Sequence, residues 1–247
     1  MGGPLQGAHM INHQNQLSLF TLIAKTLEAD VTCYAFGGTA MMFYGYKDET
    51  KDVDLLFENT KERNNFIHAI QRLGYSETSA VTIYVPEKFR DDNKPLVFKK
   101  GDGERFDLFT KQIFHTVISP TMKEDMYAIH EFKGEHTLTI KVLRREHIVL
   151  LKAITERKND FDDIQKILQK TKNFDWDYLI EEALWQYKNG DQWVLLDTER
   201  TLRELKKYHV IEKKHLDKIY KALEEKEKKQ GSKLKVPSSK KKKHLKT

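Results

Sequence analysis

The chain has one cysteine, Cys33, in 247 residues. A single thiol excludes an internal disulfide framework and a multi-cysteine zinc site, and it fits a reducing, cytoplasmic setting. Cys33 stands among apolar residues just ahead of two glycines, where it reads as core packing or, alternatively, as a nucleophile. No apolar run approaches the roughly 18 residues of a membrane helix, and no signal peptide is visible, so no membrane partner is expected. The ten histidines are scattered without metal-ligand spacing. Acidic residues are scarce at one end only: residues 226–247 hold ten lysines and one glutamate, giving that segment +9 of a formal net charge of +6. The other 225 residues sum to −3, so the folded body is slightly acidic and the basic character lies in a tail. With almost no apolar content, the tail at 226–247 is expected to be disordered. It can hold a nucleic-acid backbone electrostatically or act only as a solubilising end.

Charged residues make up 32% and the hydrophobic set 39%, with a mean hydropathy of −0.67. The length allows one large domain or two small ones. Residues 1–9 resemble a leader added for expression, with the natural start at Met10. Helical periodicity covers 15–27, and a short apolar strand at 31–36 runs into Gly37-Gly38. A helix at 39–46, a polar loop at 47–51 and a strand at 52–57 follow. An amphipathic helix at 61–73 is stopped by Gly74. Strand-like segments lie at 81–85, 96–99, 105–109 and 137–143. Beyond them a helix at 146–155 opens a mainly helical region, with aromatic-rich 174–187 and further helices at 193–208 and 212–223. The aromatics of 174–187 suit core packing or, alternatively, base stacking. The division expected is 10–145, 146–225 as a helical C-terminal region, and 226–247.

The centre of the pattern is Phe36-Gly37-Gly38-Thr39, followed by Asp52-Val53-Asp54-Leu55. In a strand, residues two apart share a face, so Asp52 and Asp54 can grip one cation. Two carboxylates on one face of an apolar strand repel each other and are costly to desolvate without one. The glycines allow close backbone approach, and the N–H groups opening the next helix suit an anion. Asp107, between Phe106 and Leu108, completes a three-carboxylate cluster if its strand lies beside 52–57. Otherwise it is an aspartate at a strand edge. Lys152 is the one lysine in an apolar helix and needs an anion, either a phosphate or an aspartate such as Asp160. Asp160 and Asp163 share a helix face. Asp163 can position an acceptor, act as a base, cap the helix or pair with Lys152. Arg157 can hold phosphate or be a solvated helix-end residue.

Gly-Gly, a gap, then Asp-hydrophobic-Asp-hydrophobic resembles the signature of the DNA polymerase β-like nucleotidyltransferase superfamily. The later run of lysine helix, Arg157 and Asp160-x-x-Asp163 is similar to the AbiEii-type, toxin-like members, over roughly residues 30–170. In that group a serine often follows the first glycine and a basic residue precedes the later aspartate; here those positions hold Gly38 and Asn159. The resemblance implies an α/β (α+β) fold, a mixed sheet flanked by helices with a helical C-terminal region. It implies transfer of a nucleoside monophosphate from an NTP to a hydroxyl of RNA (tRNA) or protein. Asp52, Asp54 and Asp107 would hold two Mg²⁺ ions, or Mn²⁺ in their place. Gly37, Gly38 and Thr39 would cradle phosphates, with Lys152, Arg157 and Asp160 at the nucleotide and Asp163 beside the reaction. A toxin role implies an antitoxin partner. Two other classes stay open: a non-catalytic nucleotide sensor or RNA-binding scaffold on the same fold, and a purely structural partner that binds no nucleotide.

Overall fold

The computed structural model describes residues 10–79, 93–101, 103–155 and 159–233. Its chain order begins with β1 (Ile11–Asn12), α1 (His13–Ala24), β2 (Val31–Ala35), α2 (Gly37–Phe43), β3 (Glu49–Thr50), β4 (Asp52–Phe57) and α3 (Thr60–Arg72). There follow β5 (Ser76–Thr78), β6 (Leu96–Lys99), β7 (Arg105–Thr110), β8 (Gln112–Ile113), β9 (Thr116–Val117), α4 (Pro120–Glu124), β10 (Met126–Lys133) and β11 (Thr137–Leu143). The last five are α5 (Arg145–Thr155), α6 (Asp160–Lys170), α7 (Trp176–Lys188), α8 (Val194–Leu205) and α9 (Lys213–Lys233).

The main path of the sheet runs β10-β11-β2-β4-β7-β6-β5. It is mixed: β11 with β2 and β4 with β7 are parallel, and the other neighbours on this path are antiparallel. The α/β (α+β) class with a mixed sheet, expected above, is therefore the observed one. Strand β4 is buried from Val53 to Phe57, as a central strand covered on both faces must be. On one side it meets α3, where Phe66 packs against Phe57 and against Phe106 of β7 with ring centroids 5.4 and 5.6 Å apart. The opposite face carries Asp52 and Asp54, with α2 beside it.

Helix α5 joins the sheet region to the later helices. It contacts α2 on one side and α6, α7 and α8 on others, and it is buried from Glu146 to Thr155. One continuous hydrophobic cluster runs from Phe20 through the strands to Ile219. Residues 10–145 and 146–225 thus share a core. No helix among the described residues is long and apolar enough to cross a membrane.

Several boundaries differ from expectation. Helix α2 begins at Gly37 because this glycine takes a positive φ of 54° and turns the chain directly out of the strand. Strand β10 was not legible because apolar Tyr127 and Ile129 stand exposed on the face that alternation assigns to polar residues. Helix α9 continues to Lys233 rather than ending at 223. Its Lys and Glu residues are good helix formers and include an i,i+4 pair, Glu224 with Lys228 at 3.9 Å. The expected leader at 1–9, the strand at 81–85 and the tail beyond residue 233 lie outside the described residues.

Candidate functional site

Strands β4 and β7 lie parallel with Asp52 opposite Arg105 and Asp54 opposite Asp107. The pairing puts all three predicted carboxylates on one face. Two acidic side chains directly opposite each other on adjacent strands are unfavourable, and both are nearly inaccessible, Asp54 at 2% and Asp107 at 0% exposure. The glycine turn supplies part of the compensation. The Gly38 N–H donates to Asp54 Oδ2 at 3.0 Å, and the Asp54 N–H donates to the Thr39 hydroxyl oxygen at 2.7 Å. A Cβ on Gly37 would stand well inside contact distance of the same Asp54 carboxylate. The two glycines therefore press the helix opening against an aspartate, and Gly38 N–H is engaged by that side chain.

Arg105 supplies the rest. Its Nη2 lies 2.7 Å from Asp52 Oδ2, while Nε and Nη2 donate to the two Asp107 oxygens at 2.8 and 3.1 Å. Burial works against the charge on this guanidinium, but Asp107, Asp52 and Asp54 outweigh it and hold the pKa above its ordinary value. Sequence reading missed Arg105, although it stands two residues before Asp107 and therefore on the same strand face.

A second charged cluster comes from α5 and α6. Lys152 Nζ donates to Asp160 Oδ1 at 3.0 Å and to Asp163 Oδ2 at 2.8 Å. Thr155 Oγ1 donates to Asp160 Oδ2 at 2.7 Å, and Lys47 approaches Asp163 at 3.4 Å. Of the anions weighed for Lys152, the aspartates are the ones in contact. Burial raises the Asp163 pKa, but Lys152, Lys47 and Lys166 overcome this and bring it below the usual carboxylate value.

The two clusters meet across a cleft of about 160 Å³ lined by Gly38, Thr50, Asp52, Asp54, Lys47 and the Lys152 triad, with Asn159 at one side. Thr50 and Lys47 were not singled out from sequence; the alternation 50, 52, 54 was the available signal for Thr50. Gly37, Thr39 and Asp107 do not line this cleft. Thr39 is turned inward onto the backbone of Asp54, which corrects its assignment as a hydroxyl offered to phosphate: the turn needs that hydroxyl to pin helix to strand. Arg157 lies outside the described residues. Cys33 is buried, and burial pushes its thiol pKa up, which suits packing and not nucleophilic chemistry.

Among the described residues no three His, Cys, Asp or Glu side chains are gathered as a metal-holding group, and Arg105 bridges Asp52 and Asp107. The donors themselves are hard carboxylate oxygens, the type Mg²⁺ and Mn²⁺ take. Asp52, Asp54 and Asp107 offer such oxygens on one strand face, with Arg105 bound to two of them. The chain matches no model of a known protein family and no curated protein.

Proposed function

We propose that the chain is a metal-dependent nucleotidyltransferase of the polymerase β-like kind, moving a nucleoside monophosphate from an NTP to a hydroxyl of RNA or protein. The observation that carries the reading is the in-register pairing of Asp52 and Asp54 with Arg105 and Asp107, hard against the Gly37-Gly38 turn. A protein with only structural needs gains nothing from two buried aspartates opposite each other. The sequence resemblance, covering the same residues, supports the reading.

Asp52, Asp54 and Asp107 would hold divalent ions, which supply charge neutralisation at the triphosphate and activation of the acceptor oxygen. The acceptor oxygen attacks the α-phosphorus, the α–β bridging P–O bond breaks, and pyrophosphate leaves with its electron pair. The chain's own part is positioning and electrostatics. Gly38 N–H fixes the Asp54 carboxylate, and Lys47 and Lys152 bring positive charge to the cleft where phosphates would lie. Asp163, kept ionised by its lysines, would position the acceptor, whose proton passes to water, since a carboxylate with a lowered pKa is a poor base. An RNA acceptor suits the lysine-rich tail; a toxin role would add an antitoxin partner.

Arg105 gives the non-catalytic reading a specific footing, because the two carboxylates it binds are already partly neutralised without metal. The two readings separate in one experiment. The chain is incubated with each α-labelled NTP, Mg²⁺ and total tRNA, beside an Asp52→Ala/Asp54→Ala control, and products are resolved on a denaturing gel that also displays protein. Label on RNA or protein that the double variant loses is the expected result. NTP binding without label transfers support to the sensor reading, and no binding at all removes both.

A further inference from the structure

A second cavity, of about 390 Å³, opens beside the carboxylate cleft, and Lys152 and Asp160 line both. Its other walls differ in kind from the cleft. Ala153, Ile164 and Phe161 give it an apolar side, and Arg200, Thr201 and Glu204, at positions i, i+1 and i+4 of α8, give it a polar rim. Tyr208, just past the end of α8 and 63% exposed, brings its ring centroid to 6.4 Å from that of Phe161, at 59° to it. Arg200 pairs with Asp197 at 3.0 Å and Glu204 with Lys207 at 2.6 Å. The Glu204 pair is exposed and of the kind worth little, so Glu204 can change partner at small cost, while Arg200 is anchored on the buried Asp197 with its own side chain more than half exposed. An apolar wall with the Phe161 ring in it, the Tyr208 ring beside that one, a strong donor and a strong acceptor on the rim are what a flat heteroaromatic ligand needs.

Resting on the nucleotidyltransferase reading, we propose that this cavity takes the nucleobase of the triphosphate. The base lies against Phe161 and Tyr208, with its exocyclic amino group on the Glu204 carboxylate and its ring acceptors toward Arg200. The phosphates then pass Lys152 into the cleft. A carboxylate only accepts hydrogen bonds. It suits the amino group of adenine, guanine or cytosine, and it repels the two carbonyl oxygens flanking the single N–H of uracil. Glu204 is thus a specificity-determining residue, and UTP is the disfavoured nucleotide.

The test is calorimetric titration of the full chain, with Mg²⁺, using ATP, GTP, CTP, UTP and inorganic tripolyphosphate, which carries no base. Wild type is expected to bind UTP about tenfold more weakly than the best amino-bearing nucleotide. Phe161→Leu and Tyr208→Ala should weaken nucleotide binding about fivefold or more while leaving tripolyphosphate unchanged. Glu204→Gln, which can both donate and accept, should close the gap to UTP. Equal losses for nucleotides and tripolyphosphate, no losses, or a preference for UTP would overturn the assignment. If nucleotides bind and Asp52→Ala abolishes that binding, but the cavity variants do nothing, the base site alone is wrong. If wild type binds none of the five probes, the nucleotidyltransferase reading falls with it.

Discussion

Replacing Arg105 by methionine tests how the acidic face is held together. Methionine keeps an unbranched side chain of similar length and removes the charge. Arg105 is 19% exposed at the side chain, Asp52 22% and Asp107 0%. Its three contacts at 2.7, 2.8 and 3.1 Å place it among buried pairs. Breaking such a pair by deleting one partner costs about 3–5 kcal/mol, because the other charge stays buried. Here two carboxylates would be stranded, with Asp54 beside them. For a chain of this length the loss corresponds to a fall in Tm of about 6–20 °C. A ligand that binds only the folded state restores stability by mass action, so Mg²⁺ should raise the Tm of Arg105→Met more than that of wild type. Arg105→Lys, which keeps the charge but not the fork, should fall between them. Thermal melts with and without Mg²⁺ read all three. If Arg105→Met melts with wild type, the carboxylates do not depend on Arg105. If Mg²⁺ shifts both equally, Arg105 does not stand where the cation binds.

Gly37→Ala should cost at least about 1–2 kcal/mol from the positive φ alone. It should also displace Asp54, so that metal-dependent nucleotide binding is lost beyond what the drop in Tm explains; equal losses in both would reduce the turn to a purely structural role. Lys152→Met should destabilise by about 3–5 kcal/mol by stranding Asp160 and Asp163. Because the folded-state pKa of Asp163 is depressed, its stabilisation is complete above about pH 4, the ordinary carboxylate value, and is lost as pH falls through the folded pKa. Melts from neutrality to about pH 3 should show that loss in wild type and less of it in Lys152→Met; parallel curves would contradict the pairing. Truncation after Lys233 removes six lysines. It should leave Tm unchanged and flatten the dependence of log Kd for RNA on log salt; an unchanged slope would exclude the tail from RNA contact.

The carboxylate face was legible because strand period and sequence spacing coincide. Asp52 and Asp54 needed only alternation, and Asp107 needed one assumption about which strands are neighbours. Their counter-charge followed the same rule, yet Arg105 escaped notice, since an arginine beside an acidic motif looks like a surface residue until the register is known. Lys47 had no periodic signal at all: it reaches Asp163 from a loop, 116 positions away. The cavity rimmed by Arg200, Thr201 and Glu204 was equally hidden, because α8 reads by itself as an amphipathic helix with an ordinary charged side. Local pattern locates an element's face, while the partner of that face is a long-range packing outcome. Strand β10 escaped notice for a related reason, an outer face that is partly apolar, while its partner β11 read correctly.

The burial of α5 on every side governs how the molecule can move. A helix packed against α2 and three later helices cannot slide or roll without repacking neighbours at interior density. Rocking of residues 10–143 against the later helices would have to break that packing. The spacing between the strand that carries Asp54 and the helix that carries Lys152 is thereby preset. Any adjustment to an incoming ligand falls first to long side chains such as Lys47 and Arg200, whose rotamers change within nanoseconds at the surface. The site should respond quickly and over short distances.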